Sequence, residues 1–130
     1  MSTFGDNWHA QATYRSMIEF GHGMLRYTFL ANGAAIISIL TFLGNLYAKG
    51  GDVPRMKGAL TFFLIGILLS GVSTLTTYII QFMLFNESIN NITAGGWRSH
   101  VRWLYFTLVL ISLSMLSFAV GAYFAVSQLQ

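Results

Sequence analysis

Inside the apolar part of this chain, the side chains able to make directed bonds are hydroxyls and amides. They fall at helical spacing. Gly66, Ser70, Ser73, Thr77 and Gln81 recur every three or four residues, which at about 100° per residue places them on one narrow side of a helix. Thr107, Ser114, Ser117, Gly121, Ala125 and Gln128 repeat the arrangement, and Ala31, Ala34, Ser38, Thr41 and Asn45 form a weaker strip. Two kinds of chemistry fit such stripes. In the first, small residues let helix backbones approach while hydroxyls bond across the interface or back to their own carbonyls. In the second, several copies assemble with one stripe, that of residues 66–81, lining a narrow uncharged water pathway. Three helices cannot enclose a useful pore, so the second chemistry requires an oligomer.

A different constellation precedes these stripes. Arg15, Glu19, His22 and Arg26 recur at spacings of four, three and four, while Tyr14, Met17, Ile18, Gly21 and Leu25 share another helical face. This predicts an amphipathic helix, either lying in a membrane interface or running on into the following apolar block. Gly21 and Gly23 would ease a bend between the two parts. The charged stripe reads either as a sensor or docking face for a regulatory or membrane-protein partner, switched through His22, or as a solvated face with ordinary ion pairs.

Other chemistry lacks its residues. His9, His22 and His100 are scattered, and none has a carboxylate at ligand spacing from a second histidine, so no metal site is expected. Ser70, Ser73 and Ser114 have no base within their blocks, which points away from nucleophilic catalysis and from an enzyme. Gly33 with Gly44, and Gly66 with Gly71, sit within helical patterns as packing positions and not as phosphate cradles. No histidine lies in an apolar block to hold haem, and no other cofactor is indicated. The chain has no cysteine, hence no disulfide or thiolate chemistry.

The elements that must carry these residues are three apolar blocks, Tyr27 to Tyr47, Ala59 to Phe85 and Trp103 to Val126, which contain no Asp, Glu, Lys, Arg or His. A spanning helix needs about 20 apolar residues and a charge at the bilayer centre is costly, so each block reads as a membrane span. Composition agrees: 55% of residues are hydrophobic and 8% charged, where a soluble domain has about 25% charged. The expected fold is an all-α integral membrane bundle of three transmembrane helices plus the amino-terminal amphipathic helix. Residues 1–26 form the amphipathic cytosolic or interfacial segment and residues 27–130 the transmembrane domain. Lys49-Gly50-Gly51-Asp52-Val53-Pro54-Arg55 holds the one proline and reads as a tight reversal, making the first two spans an antiparallel hairpin. Asn86 to Gly96 reads as the second connection, followed by Trp97, Arg98, His100, Arg102 and Trp103 at a membrane boundary. Glycosylation sequons begin at Asn86 and Asn91 and read as turn chemistry.

The seven basic residues flank the spans, a distribution suited to lipid headgroups and not to nucleic acid. They do not decide topology. Lys49, Arg55 and Lys57 lie in the first connection, against Arg15, Arg26, Arg98 and Arg102 on the other side. No cleavable signal precedes the first span, which favours a cytoplasmic amino terminus.

At Leu30-Ala31-Asn32-Gly33-Ala34-Ala35-Ile36, opening the first span directly after an amphipathic helix, the chain resembles small bacterial membrane proteins of similar length. Its plan of a short amphipathic lead and a few uncharged spans also resembles membrane effectors of antiphage defence, the retron-encoded and SLATT-type pore formers. The likeness covers the whole chain in layout, and the third span departs from a two-span plan. What the resemblance implies is an inner-membrane effector, held quiet by a partner until infection, that oligomerises and permeabilises the membrane. The reading from a different class is a structural accessory subunit packing its small-residue stripes against a larger membrane complex.

Overall fold

The computed structural model describes residues 6–90 and 97–129, with side chains described for 8–9, 11–86 and 102–129. Among these residues the chain forms three helices and no strand: α1 (Asp6–Ala48), α2 (Lys57–Asn90) and α3 (Trp97–Ser127). All three are long and apolar enough to cross a membrane, with mean hydropathy 1.7, 2.0 and 2.1 over Gln11–Ala48, Lys57–Asn86 and Arg102–Ser127.

Helix α1 is one rod of 43 residues, about 64 Å long. It passes through Gly21 and Gly23 without a break, because Glu19, Met24, Leu25 and Arg26 around them are good helix formers. The amphipathic lead and the first apolar block are thus one element. Leu25 is buried and Ile18 and Gly21 are half-buried, but Tyr14 and Met17 of the expected apolar face are exposed.

The α1 terminus is set by Gly50, whose φ of 68° is the left-handed conformation that glycine adopts without a Cβ clash. Gly51 N–H donates to Leu46 O at 3.0 Å and Gly50 N–H to Tyr47 O at 3.1 Å, closing a Schellman cap. Pro54 then removes a donor, Met56 is buried, and α2 begins. Gly50→Ala should cost about 1–2 kcal/mol, the penalty of a non-glycine residue in that region. A thermal-unfolding comparison with Gly51→Ala, whose φ is not in that region, checks this.

Helix α2 continues to Asn90, five residues beyond the apolar block. This corrects the expected connection at Asn86: an established helix propagates through polar residues because each added residue brings its own hydrogen bond. The rest of that connection, residues 91–96 with the sequon at Asn91, lies outside the described residues, as do the side chains of Trp97, Arg98 and His100.

The helices run up, down and up. Asn32 lies against Gly66 and Thr28 against Ser70, so α1 and α2 are antiparallel. Thr107 meets Thr76 and Ser117 meets Phe62, so α3 is antiparallel to α2. The α2–α3 pair is the closer one: 28% of the apolar window of each is buried, against 6% for α1. The buried residues of α2 are Ala59, Phe63, Gly66, Ser70, Ser73, Thr76 and Ile80. Their spacing averages about 3.5 residues, that of a left-handed supercoiled seam.

Candidate functional site

The 3.5-residue seam decides which of the expected stripe residues meet. Gly66, Ser70 and Ser73 are buried, Thr77 is half-buried and Gln81 is exposed. The sequence 66, 70, 73, 77, 81 advances about 3.75 residues per step and so drifts around the helix, away from the seam. Thr76 and Ile80 occupy the inward positions instead, both buried. On α3, Thr107, Ser114, Ser117 and Gly121 face inward, Ala125 is half-buried and Gln128 is exposed.

The strip on the first span is a correction. Ala34, Ser38, Thr41 and Asn45 are exposed and Ala31 is half-buried. The inward line is Leu25, Thr28 and Asn32, continued by half-buried Ile36, Ile39, Leu43 and Leu46 at heptad-like spacing. Ranking residues by smallness selected the outward strip. The available signal was the position of Thr28 and Asn32 on the same seam as apolar residues.

These lines converge on a buried polar node shared by all three helices. Ser70 Oγ donates to Thr28 Oγ1 at 2.9 Å, and Ser70 Oγ and Ser114 Oγ lie 2.9 Å apart. Ser114 Oγ donates to Gly66 O at 2.8 Å, and Thr28 Oγ1 donates to Leu25 O at 3.0 Å. Asn32, wholly buried, donates from Nδ2 to Thr28 O at 2.8 Å and reaches Ser114 Oγ at 3.4 Å. Asn32 Oδ1 has no conventional donor. It lies where a Cβ of residue 66 would stand, against the Gly66 Cα, whose C–H is a weak donor. Only glycine leaves space for the carboxamide there.

Two further bonds extend the α2–α3 seam. Thr107 Oγ1 donates to Thr76 Oγ1 at 3.0 Å, and Ser117 Oγ donates to Phe62 O at 2.6 Å. Ser73 Oγ turns back to Leu69 O at 2.8 Å and Thr77 Oγ1 to Ser73 O at 2.8 Å, so these two satisfy themselves within α2. Gly121 admits the Phe63 ring, 3.0–3.1 Å from where a Cβ would sit.

The node's oxygens touch one another at hydrogen-bond distance, an arrangement that joins helices and leaves no cage for a ligand. No group of three His, Cys, Asp or Glu able to hold a metal occurs among the described residues. Arg15, Glu19, His22 and Arg26 all remain exposed along α1, outside the node. A groove of about 250 Å³ runs between α1 and α3 beside Gly23, Tyr27 and Met115. No protein-family model, curated protein or solved structure matches this chain.

Proposed function

We propose that the chain is an integral membrane protein whose three helices cross a bilayer, a bacterial inner membrane with the amino terminus on the cytoplasmic side. Its role in this reading is that of a structural accessory subunit, packing against a larger membrane complex. One observation supports it: the hydroxyls of Thr28, Ser70, Thr76, Thr107, Ser114 and Ser117 are engaged within the protomer. The outward faces carry large apolar residues such as Leu68, Leu75, Tyr78, Leu116 and Val126. Polar groups closed inward and apolar surface turned outward suit a body that contacts lipid and neighbouring helices.

Ser114→Cys tests this in a chain without native cysteine. A membrane-impermeant thiol reagent should leave it unlabelled in native membranes, while Gly51→Cys and Leu129→Cys should label from one common side. Labelling of Ser114→Cys would reject a dry seam, and opposite sides for the other two would reject three crossings.

The effector reading has its own supporting observation, the light attachment of α1. If α1 leaves, Ser70 and Ser114 lose their third partner and are free to line a wet path between copies, the toxic arm of an antiviral defence system. Growth arrest on expression, with Ser114→Cys reactive only in arrested cells, supports that reading. Arrest with full protection of the cysteine rejects the lumen.

A further inference from the structure

The contacts between helices also fix the depth of each charged residue. Thr28 and Asn32 meet Ser70 and Ser114, and Ser114 stands midway along the uncharged stretch Trp103 to Val126. In the bilayer reading just proposed, on which this inference rests, the node therefore lies near the midplane. Helix α1 is parallel to α3, so at 1.5 Å per residue Arg26 stands roughly 6 Å from that plane, His22 about 12 Å and Arg102 of α3 about 18 Å. The hydrocarbon half-thickness is about 15 Å. Arg15 and Arg102 thus reach the headgroups and Glu19 the boundary, but Arg26 sits on an exposed face roughly 9 Å inside it.

A cation facing hydrocarbon at that depth costs several kcal/mol. The chain supplies no carboxylate at the same level. Its acids are Asp6, Glu19, Asp52 and Glu87. Glu19 lies two turns nearer the headgroups and, since helical side chains lean toward the N-terminus, it leans away from Arg26. Asp6 is farther along the same rod, Asp52 is in the turn at the opposite end, and Glu87 lies about 25 Å beyond Ser70 along α2. A parallel second copy presents Arg26 to Arg26, so symmetric pairing does not supply the missing charge. Reaching the phospholipid phosphates at the boundary would require the Arg26 side chain to extend fully along the helix toward the amino terminus.

We propose that Arg26 is the recognition point for a partner transmembrane helix carrying one carboxylate near its own midpoint. The groove between α1 and α3 gives that helix a seat one turn from Arg26. Phe20, Met24, Tyr27 and Met115 form its walls, Glu19 closes its outer end, and open space over Gly23 lets a backbone come close. The bond is an arginine–carboxylate pair in a low-dielectric surround, where paired hydrogen bonds hold best.

The test uses the full chain in vesicles of neutral phospholipid. Its probe is a synthetic leucine–alanine transmembrane helix with one central Glu, read by energy transfer against a central-Gln counterpart. The Glu helix should bind about tenfold more tightly, in keeping with interhelical polar pairs of about 1–2 kcal/mol. Arg26→Gln should abolish the preference and Arg26→Lys should keep most of it, with carbonate resistance unchanged in both. Equal binding of the two probes, or a preference that survives Arg26→Gln, overturns the proposal. So does loss of the preference when anionic phospholipid is added, which makes lipid the occupant, or Arg26-dependent transfer between labelled copies, which makes it a second copy. Carbonate extraction of the unaltered protein would reject the bilayer reading itself, and this site with it.

Discussion

Gly66→Ala should destabilise the three-helix bundle by about 2–3 kcal/mol, far more than alanine at any helical glycine that faces open space. The added methyl group would occupy the position of the Asn32 carboxamide, which is fully buried and bonded through Nδ2 to Thr28 O and Ser114 Oγ. Overpacking of a closed site costs roughly 1–3 kcal/mol, and displacing Asn32 also removes its bonds to Thr28 and Ser114. A glycine series gives the comparison. At Gly121 a Cβ meets only the Phe63 ring at 3.0–3.1 Å, a shift of a few tenths of an ångström relieves it, and the loss should be smaller. At Gly44 and Gly71 a Cβ meets nothing within 4 Å, so alanine should stabilise through helix propensity by about 0.5–1 kcal/mol. Reversible unfolding in mixed micelles measures the order. The Gly66→Ala, Asn32→Ala double variant should recover part of the loss, since the second change removes what the first collides with. An additive double variant would show that the two do not meet.

Ser114→Leu should be the more severe change, about 3 kcal/mol or more, because Ser114 is fully buried and touches both of the other helices. Leucine cannot bond Gly66 O or Ser70, and its bulk holds α2 and α3 apart where Ser114 reaches the Gly66 carbonyl. Ser112→Leu, two residues earlier on the same helix, is the control. Ser112 is exposed and bonds only its own Leu108 O at 2.9 Å, so leucine there should change stability by less than about 0.5 kcal/mol. A cysteine pair across α2 and α3 at Thr76 and Thr107 reports whether the helices still meet. Oxidative cross-linking should persist in Ser112→Leu and fall sharply in Ser114→Leu. Equal cross-linking in both would place Ser114 outside the contact that holds the pair.

Three uncharged blocks were enough to read three membrane-length helices, and the Gly50–Pro54 turn was enough to read the first reversal, because both follow from composition and local backbone chemistry. The inner faces were partly legible. Gly66, Ser70, Ser114 and Gly121 stood out as small or hydroxylated residues at helical spacing, and the structure buries all four. Thr28 and Asn32 did not stand out, since in apolar helices residue type alone does not separate the packed face from the lipid-ready one. That separation comes from the 3.5-residue seam, which is a property of helix pairs and not of one helix. The same physics carried Gln81 off the seam and put Thr76 on it. The end of α2 was misplaced by the polar run after Phe85, because helix hydrogen bonding does not depend on side-chain polarity.

The chain of oxygens through the node has an arithmetic of its own. From Leu25 O through Thr28, Ser70 and Ser114 to Gly66 O there are four contacts, but only three hydroxyl protons to serve them. One contact is therefore always without a proton, and the gap can stand at any of the four. Moving it one step reverses a single O–H bond; moving it end to end reverses all three in sequence. Such a shift needs only rotation about C–O bonds, so the heavy-atom geometry fastens the helices without dictating a single set of hydrogen positions. A hydroxyl-free residue at position 70 would cut the row into two isolated halves, each with its proton confined to its own helix neighbourhood.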